Sequence, residues 1–230
     1  WRVHHSANVA ALAKMREGLS KTCMSSNMYD STGFKVLSAR YSSFKDLAHA
    51  QRAEFEVALA DGDTNFAVRS AIDGIRFGIE SARGGVMIEG LVSIAVQKIA
   101  MIPFRPIISS LSRTNAEFAL EQMLSLETNA PSARSVLDKE SSARPQMSES
   151  RWHYAIYMIF RHKAEKVGEK KFTMKYHEFV NERRQIGGLL AKRLYELKHG
   201  KPAIGWTDLV PRFLPAIQKD AETGSDLPFP

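Results

Sequence analysis

Cysteine is almost absent from this chain of 230 residues, where Cys23 stands alone. A lone cysteine excludes an intramolecular disulfide and a cysteine-built zinc site. Cys23 itself reads as a small buried hydrophobe. The short motifs through which a sequence displays phosphate binding, acyl transfer or zinc hydrolysis are also missing: there is no GxxxxGK[ST], GxGxxG, GxSxG or HExxH. His4 and His5 are adjacent, and neighbouring side chains do not share a helix face, so they make a poor preformed metal pair. Glu117 and Glu121 stand one turn apart and read as a solvated face. No catalytic residue, cofactor or metal is expected.

A long uninterrupted apolar run is lacking too. Residues 86–102 (VMIEGLVSIAVQKIAMI) come nearest, but they number 17 and contain Glu89, Gln97 and Lys98. A membrane-spanning helix needs about 20 mostly apolar residues. The run therefore reads as a central, nearly buried core helix that Pro103 and Pro106 end. No secretory leader is read within these residues.

What is present is ordinary globular material, 44% hydrophobic and 25% charged. At this length a chain buries about 70% of its extended surface and needs no covalent staple. The formal charge of +7 is unevenly placed: residues 151–201 hold 13 Lys or Arg against 5 Glu, a local +8, and the remainder is near neutral. Trp152, Tyr154, Tyr157, Phe160 and Tyr176 are interleaved with that charge, but no RNP motif or helix-turn-helix accompanies them. Such a stretch suits a solvated helix face, or an anionic partner met through Arg151, Arg161, Lys163, Lys170, Lys171, Arg183 and Arg184.

Periodicity predicts an all-α fold, an irregular multi-helix bundle with αα-hairpins and an extended Pro-rich C-terminal tail. Helices are expected over 6–24 with Ser6 as cap, from Ser43 to the Asp61-Gly62-Asp63 stop, from Asn65 to Gly84-Gly85, and over 112–126. Residues 34–41 read as a strand or an irregular packed segment. A short helix is expected over 133–140, two further helices over 149–165 and 173–199, and a last short one near 207–210. Lys198-His199-Gly200 has the cation-then-glycine chemistry of a helix end. The chain divides into an N-terminal helical region (1–127), a Ser/Pro-containing connection (128–150), a basic helical region (151–201) and the tail (202–230).

The tail carries the most specific pattern: Tyr195, His199, Gly200, Pro202, Asp208-Leu209-Val210-Pro211, Leu214-Pro215, Asp220 and Thr223-Gly224. It resembles the end of many uncharacterised helical proteins of planctomycetes and verrucomicrobia. It also resembles the point in type II secretion pseudopilins where the long helix gives way to a proline-marked loop and an Asp turn. The segment 84–94 (GGVMIEGLVSI) is similar to a helix upstream in the same helical proteins. This resemblance implies a non-enzymatic structural or accessory subunit of a larger bacterial assembly in the envelope or periplasm, with the cytoplasm as the alternative. Other protein subunits are then the expected partners, and Leu209, Phe213, Leu214 and Ile217 the candidate contacts. A nucleic acid or an anionic membrane surface, met by the basic region, is the alternative partner.

Overall fold

The computed structural model of the chain describes residues 1–21, 31–143 and 151–230, with 31–39 and 151–165 described as helix backbone only. The described residues form eight α-helices: α1 (Arg2–Leu19), α2 (Ser31–Ala60), α3 (Thr64–Ser81), α4 (Met87–Ile107), α5 (Arg113–Asn129), α6 (Ala133–Ala143), α7 (Arg151–His199) and α8 (Trp206–Leu209). A 3-10 turn, Ile108–Ser110, continues α4. The fold is all-α, as the periodicity predicts; the one β-type feature among the described residues is an isolated bridge between Lys219 and Asp226.

The α2–α3 hairpin turns where expected. Asp63 caps α3, its Oδ1 accepting from the Phe66 amide at 2.9 Å. Ser112 caps α5 in the same way through the Asn115 amide, 3.3 Å. Several boundaries differ from the sequence reading. Residues 34–41 belong to α2, which puts Ser43 inside a helix rather than at its cap. Only Val36 in that stretch is β-branched, while Lys35, Leu37, Ala39 and Arg40 are good helix formers. The basic region is one helix of 49 residues rather than two. Its middle, Lys166 to Lys171, is Lys- and Glu-rich, and a side chain at Gly168 would meet open space, so nothing there stops a helix. Pro103 and Pro106 lie inside α4 instead of ending it. The carbonyls whose partners these prolines remove belong to the half-buried Ile99 and the exposed Ile102, on a side of α4 that water reaches. With the prolines absorbed, Met87–Ser110 is by length and composition apolar enough to cross a membrane.

The main core lies between α2, α3, α4, α5 and α7, around Phe55, Ile75, Phe104, Leu120, Ile186 and Leu190. α1 adds Leu12, Met15 and Leu19 against Ala50, with Phe77 beside them. α6 contributes Ala133 and Val136 to a separate cluster with Phe172, Tyr176 and Val180 of α7. Ser6 does not cap α1; its hydroxyl donates to the Val3 carbonyl at 3.0 Å.

The tail is anchored to its own domain. Leu209, Leu214 and Leu227 are buried, and Trp206 Nε1 donates to the Leu227 carbonyl at 2.8 Å. Asn181 of α7 holds the Asp220 turn from both sides, donating to Asp220 at 2.6 Å and accepting from the Ala221 amide at 2.8 Å. Backbone amides of Thr223 and Glu222 keep the Asp220 carboxyl below the usual carboxylate range.

Gly200 ends α7 with φ +67°, and a Cβ there would meet no atom within 4 Å. Gly200→Ala should therefore lower stability by about 1 kcal/mol through backbone strain alone. A chemical denaturation midpoint indistinguishable from wild type would contradict this.

Candidate functional site

A helix in a helical domain ordinarily turns its apolar stripe inward and its polar stripe outward. α4 departs from this in its first half, while its second half buries Ala100, Met101 and Phe104 in the usual way. Its buried side carries Glu89, Ser93 and Gln97, at most 3% exposed, interleaved with Val96, Ala100 and Phe104. Its outward side carries Ile88 (43% exposed), Leu91 (42%) and Ile102 (63%). The sequence reading took α4 as nearly buried throughout; its burial is one-sided, and three polar side chains lie on the buried side of its first half.

Each inward polar group has a partner. Glu89 accepts from Arg40 at 2.5 Å and, through its other oxygen, from the Val86 amide at 2.8 Å. Gln97 donates to Ser93 Oγ at 2.9 Å and accepts from Arg183 of α7 at 3.2 Å. Arg183 also reaches Glu127 of α5 at 2.7 Å, and Glu127 accepts from Arg184 at 2.8 Å through its other oxygen. Beside Glu89, burial and then the carboxylate push the Tyr41 phenol up to about 12, so it stays protonated at neutral pH. A second network joins the first three helices: Arg16 pairs with Asp73 at 2.8 Å and with Glu54, which also accepts from Ser70 at 2.8 Å.

The candidate residues from sequence are scattered by this arrangement. Leu209 and Leu214 are wholly buried in the chain's own core, while Phe213 and Ile217 are half-buried. Arg183 is 3% exposed, and Arg184 binds Glu127 and the Lys219 carbonyl, so both are tied into the fold. Lys170 and Lys171 are exposed. The side chains of Arg151, Arg161 and Lys163, like those of Trp152, Tyr154, Tyr157 and Phe160, lie outside the described residues, as does Cys23.

Two clefts among the described residues bring charged groups together. One of about 410 Å³ is lined by Arg113, Glu117, Glu121, Lys198 and Arg212 over Leu120, Leu124 and Phe213. Partial desolvation and the nearby Arg212 and Arg113 hold Lys198 below the ordinary lysine range. Another, about 440 Å³, is lined by Glu127, Tyr176, His177, Arg183, Arg184 and Asp220. Glu196 and His199 have Glu-x-x-His spacing. Glu196 pairs with Arg193, and the His199 ring packs on Tyr195, 4.1 Å between centroids. Among the described residues no group of three His, Cys, Asp or Glu is placed to hold a metal ion.

The outward face of α4 is the feature that sequence reasoning missed. A signal was there: Glu89, Ser93 and Gln97 recur every four residues, which places a polar stripe on one side of an apolar helix. α7 runs parallel beside that face. Gly90 lets the Phe172 ring approach so closely that a Cβ at residue 90 would sit 2.9 Å from it. Farther along, Lys98 pairs with Glu182 at 3.0 Å. Comparison with protein-family models, curated proteins and solved structures returns no match.

Arg183 lies at the junction of α4, α5 and α7. Arg183→Met leaves the Gln97 carbonyl oxygen and one Glu127 oxygen without their donor, and should cost about 3–5 kcal/mol. Lys171→Met, on the exposed side of the same helix, should stay within about 0.5 kcal/mol of wild type. Urea denaturation of both variants measures this; equal midpoints would show that the buried pairing does not hold α4 in place.

Proposed function

We propose that this chain is a non-enzymatic structural or accessory subunit of a larger, envelope-associated bacterial assembly, held there by the outward face of α4. The observation that carries the reading is the inversion of α4, which leaves Ile88, Leu91 and Ile102 in water while polar groups occupy the interior. Exposed apolar side chains that stand singly on a surface need no partner, but a row of them on one helix face is a contact surface. The resemblance of the tail to helical proteins and pseudopilins of the bacterial envelope supports the location. Leu209 and Leu214 fill this chain's own core, so the contact is assigned to α4, with the half-buried Phe213 and Ile217 left as lesser candidates among the tail residues. Cutting the tail at Lys201 would remove core side chains and is therefore a test of folding rather than of assembly.

A second reading, a binding module for an anionic partner, is favoured by one observation: Lys166, Lys170, Lys171 and Lys175 are all exposed along α7.

Cell fractionation tests the assembly reading. In cells making the chain at its native level, it should sediment with the envelope. It should stay there through a wash in about 1 M salt, where charges are screened beyond about 3 Å. Ile102→Glu should release it. A chain found wholly in the soluble fraction would overturn the reading, and one released by salt alone would favour the second.

A further inference from the structure

The outward side of α4 and the adjoining side of α7 make one surface. The two helices run in the same direction, since Gly90 meets Phe172 near the start of α4 while Gln97 and Lys98, two turns on, meet Arg183 and Glu182 farther along α7. That register sets residues 88–91 of α4 level with about 170–174 of α7. Lys171, Lys175, Glu178 and Glu182 recur at three- and four-residue steps and so share one stripe of α7. The Lys98–Glu182 pair turns this stripe to the same side as Leu91, Lys98 and Ile102 of α4. Beyond the lysines, Val167 (52% exposed) and Met174 (43%) continue the apolar surface. The face is thus an apolar ridge flanked by Lys171 and Lys175 beside Ile88 and Leu91, with Glu178 and Glu182 farther along. By contrast, Val3 and Val9 lie on α1, and Phe66 and Ile204 stand elsewhere and singly.

We propose that this face docks flat on a lipid bilayer bearing anionic headgroups, with Ile88, Leu91, Ile102 and Met174 entering the headgroup layer and Lys171 and Lys175 meeting the lipid phosphates. The proposal rests on the reading of α4 as the contact face and names what that face meets. Three features choose lipid over other occupants. An interfacial helix combines an apolar face with flanking lysines, whose aliphatic stems lie along the apolar surface while the ammonium groups reach the phosphates. Residues 166–175 carry Lys166, Lys170, Lys171 and Lys175 against Glu169 alone, a charge that suits an anionic leaflet. A nucleic acid would use the lysines but leave Ile88, Leu91 and Ile102 in water. α4 docks rather than spans because Glu89, Ser93 and Gln97 are held by partners inside the fold.

Flotation of the full purified chain with vesicles of mixed phosphatidylglycerol and phosphatidylcholine, and with phosphatidylcholine vesicles alone, tests this. The chain should float with the anionic vesicles and more weakly with the neutral ones, and its apolar contact should keep part of it on the anionic vesicles in about 1 M salt. Leu91→Glu and Ile102→Glu should each weaken binding at least tenfold, as should the paired Lys171→Glu, Lys175→Glu variant. Lys201→Glu, an exposed change in the tail, should leave it unaltered. Because 91, 102, 171 and 175 are surface positions, each variant should keep the wild-type circular dichroism and melting curve, which verifies that a loss is not unfolding. No binding to anionic vesicles, equal binding to neutral ones, or binding indifferent to Leu91→Glu and Ile102→Glu would overturn the proposal. Should the chain ignore vesicles while Ile102→Glu still frees it from the envelope in cells, the face meets a protein subunit: the lipid proposal falls and the assembly reading stands. Should vesicle binding behave as described while the chain is soluble in cells, the assembly reading falls instead.

Discussion

Glu89 enters the interior with both carboxylate oxygens engaged, one by Arg40 of α2 and one by the Val86 amide at the start of its own helix. Two turns later Gln97 is held by Arg183 of α7. Together these contacts fix the rotation of α4 about its axis. Turning the helix to bury Ile88, Leu91 and Ile102 would carry a carboxylate and an amide into water and leave Arg183 buried with an unmet donor. Losing one partner of a buried charged pair costs about 3–5 kcal/mol, and the same rotation would expose the buried Val96, Met101 and Phe104, so burying Ile88, Leu91 and Ile102 in their place brings no net apolar gain. The polar contacts therefore hold the orientation, and an exposed apolar face follows from it.

The same contacts join the two ends of the chain. Arg183 and Arg184 clasp the two oxygens of Glu127, so α5 and α7 are joined where Arg183 also meets Gln97 of α4. Arg184 then reaches the Lys219 carbonyl, and Asn181, one turn earlier on α7, holds the Asp220 turn. The tail is thus an integral part of the main core through Leu209 and Leu214. A basic segment that looks from sequence like a surface for anions divides in three dimensions: its arginines at 183 and 184 turn to the fold, and its lysines at 166–175 turn to solvent.

Much of the helical scaffold was legible in the sequence because its signals are local. Asp61-Gly62-Asp63 contains both the end of α2 and the cap of α3, and Gly200 takes the left-handed conformation expected of a helix-ending glycine. Where the reading failed, the deciding contacts were distant or the local signal misleading. Ser43 looks like a cap, yet the helix formers before it carry α2 back to Ser31. Prolines normally stop a helix, but Pro103 and Pro106 free carbonyls on a side that water reaches, so α4 continues. Nothing in counting charges reveals that Glu127 waits for Arg183, 56 residues away in sequence. The apolar run of α4 was assigned to the interior on hydropathy alone, and the four-residue recurrence of its polar members was the stronger signal.

The orientation of α4 is the claim on which the functional account rests, and thiol labelling measures it directly. With Cys23 replaced by serine, a cysteine at Ile102 and, in a second variant, one at Val96 would be modified under native conditions. The account predicts that the residue at 102 labels as fast as an unfolded thiol. The residue at 96, where the wild-type side chain is 1% exposed, should label more than about a hundredfold more slowly, because reagent reaches it only when the structure opens. Equal rates at the two positions, or protection at 102 with rapid labelling at 96, would show α4 turned the other way and contradict the account.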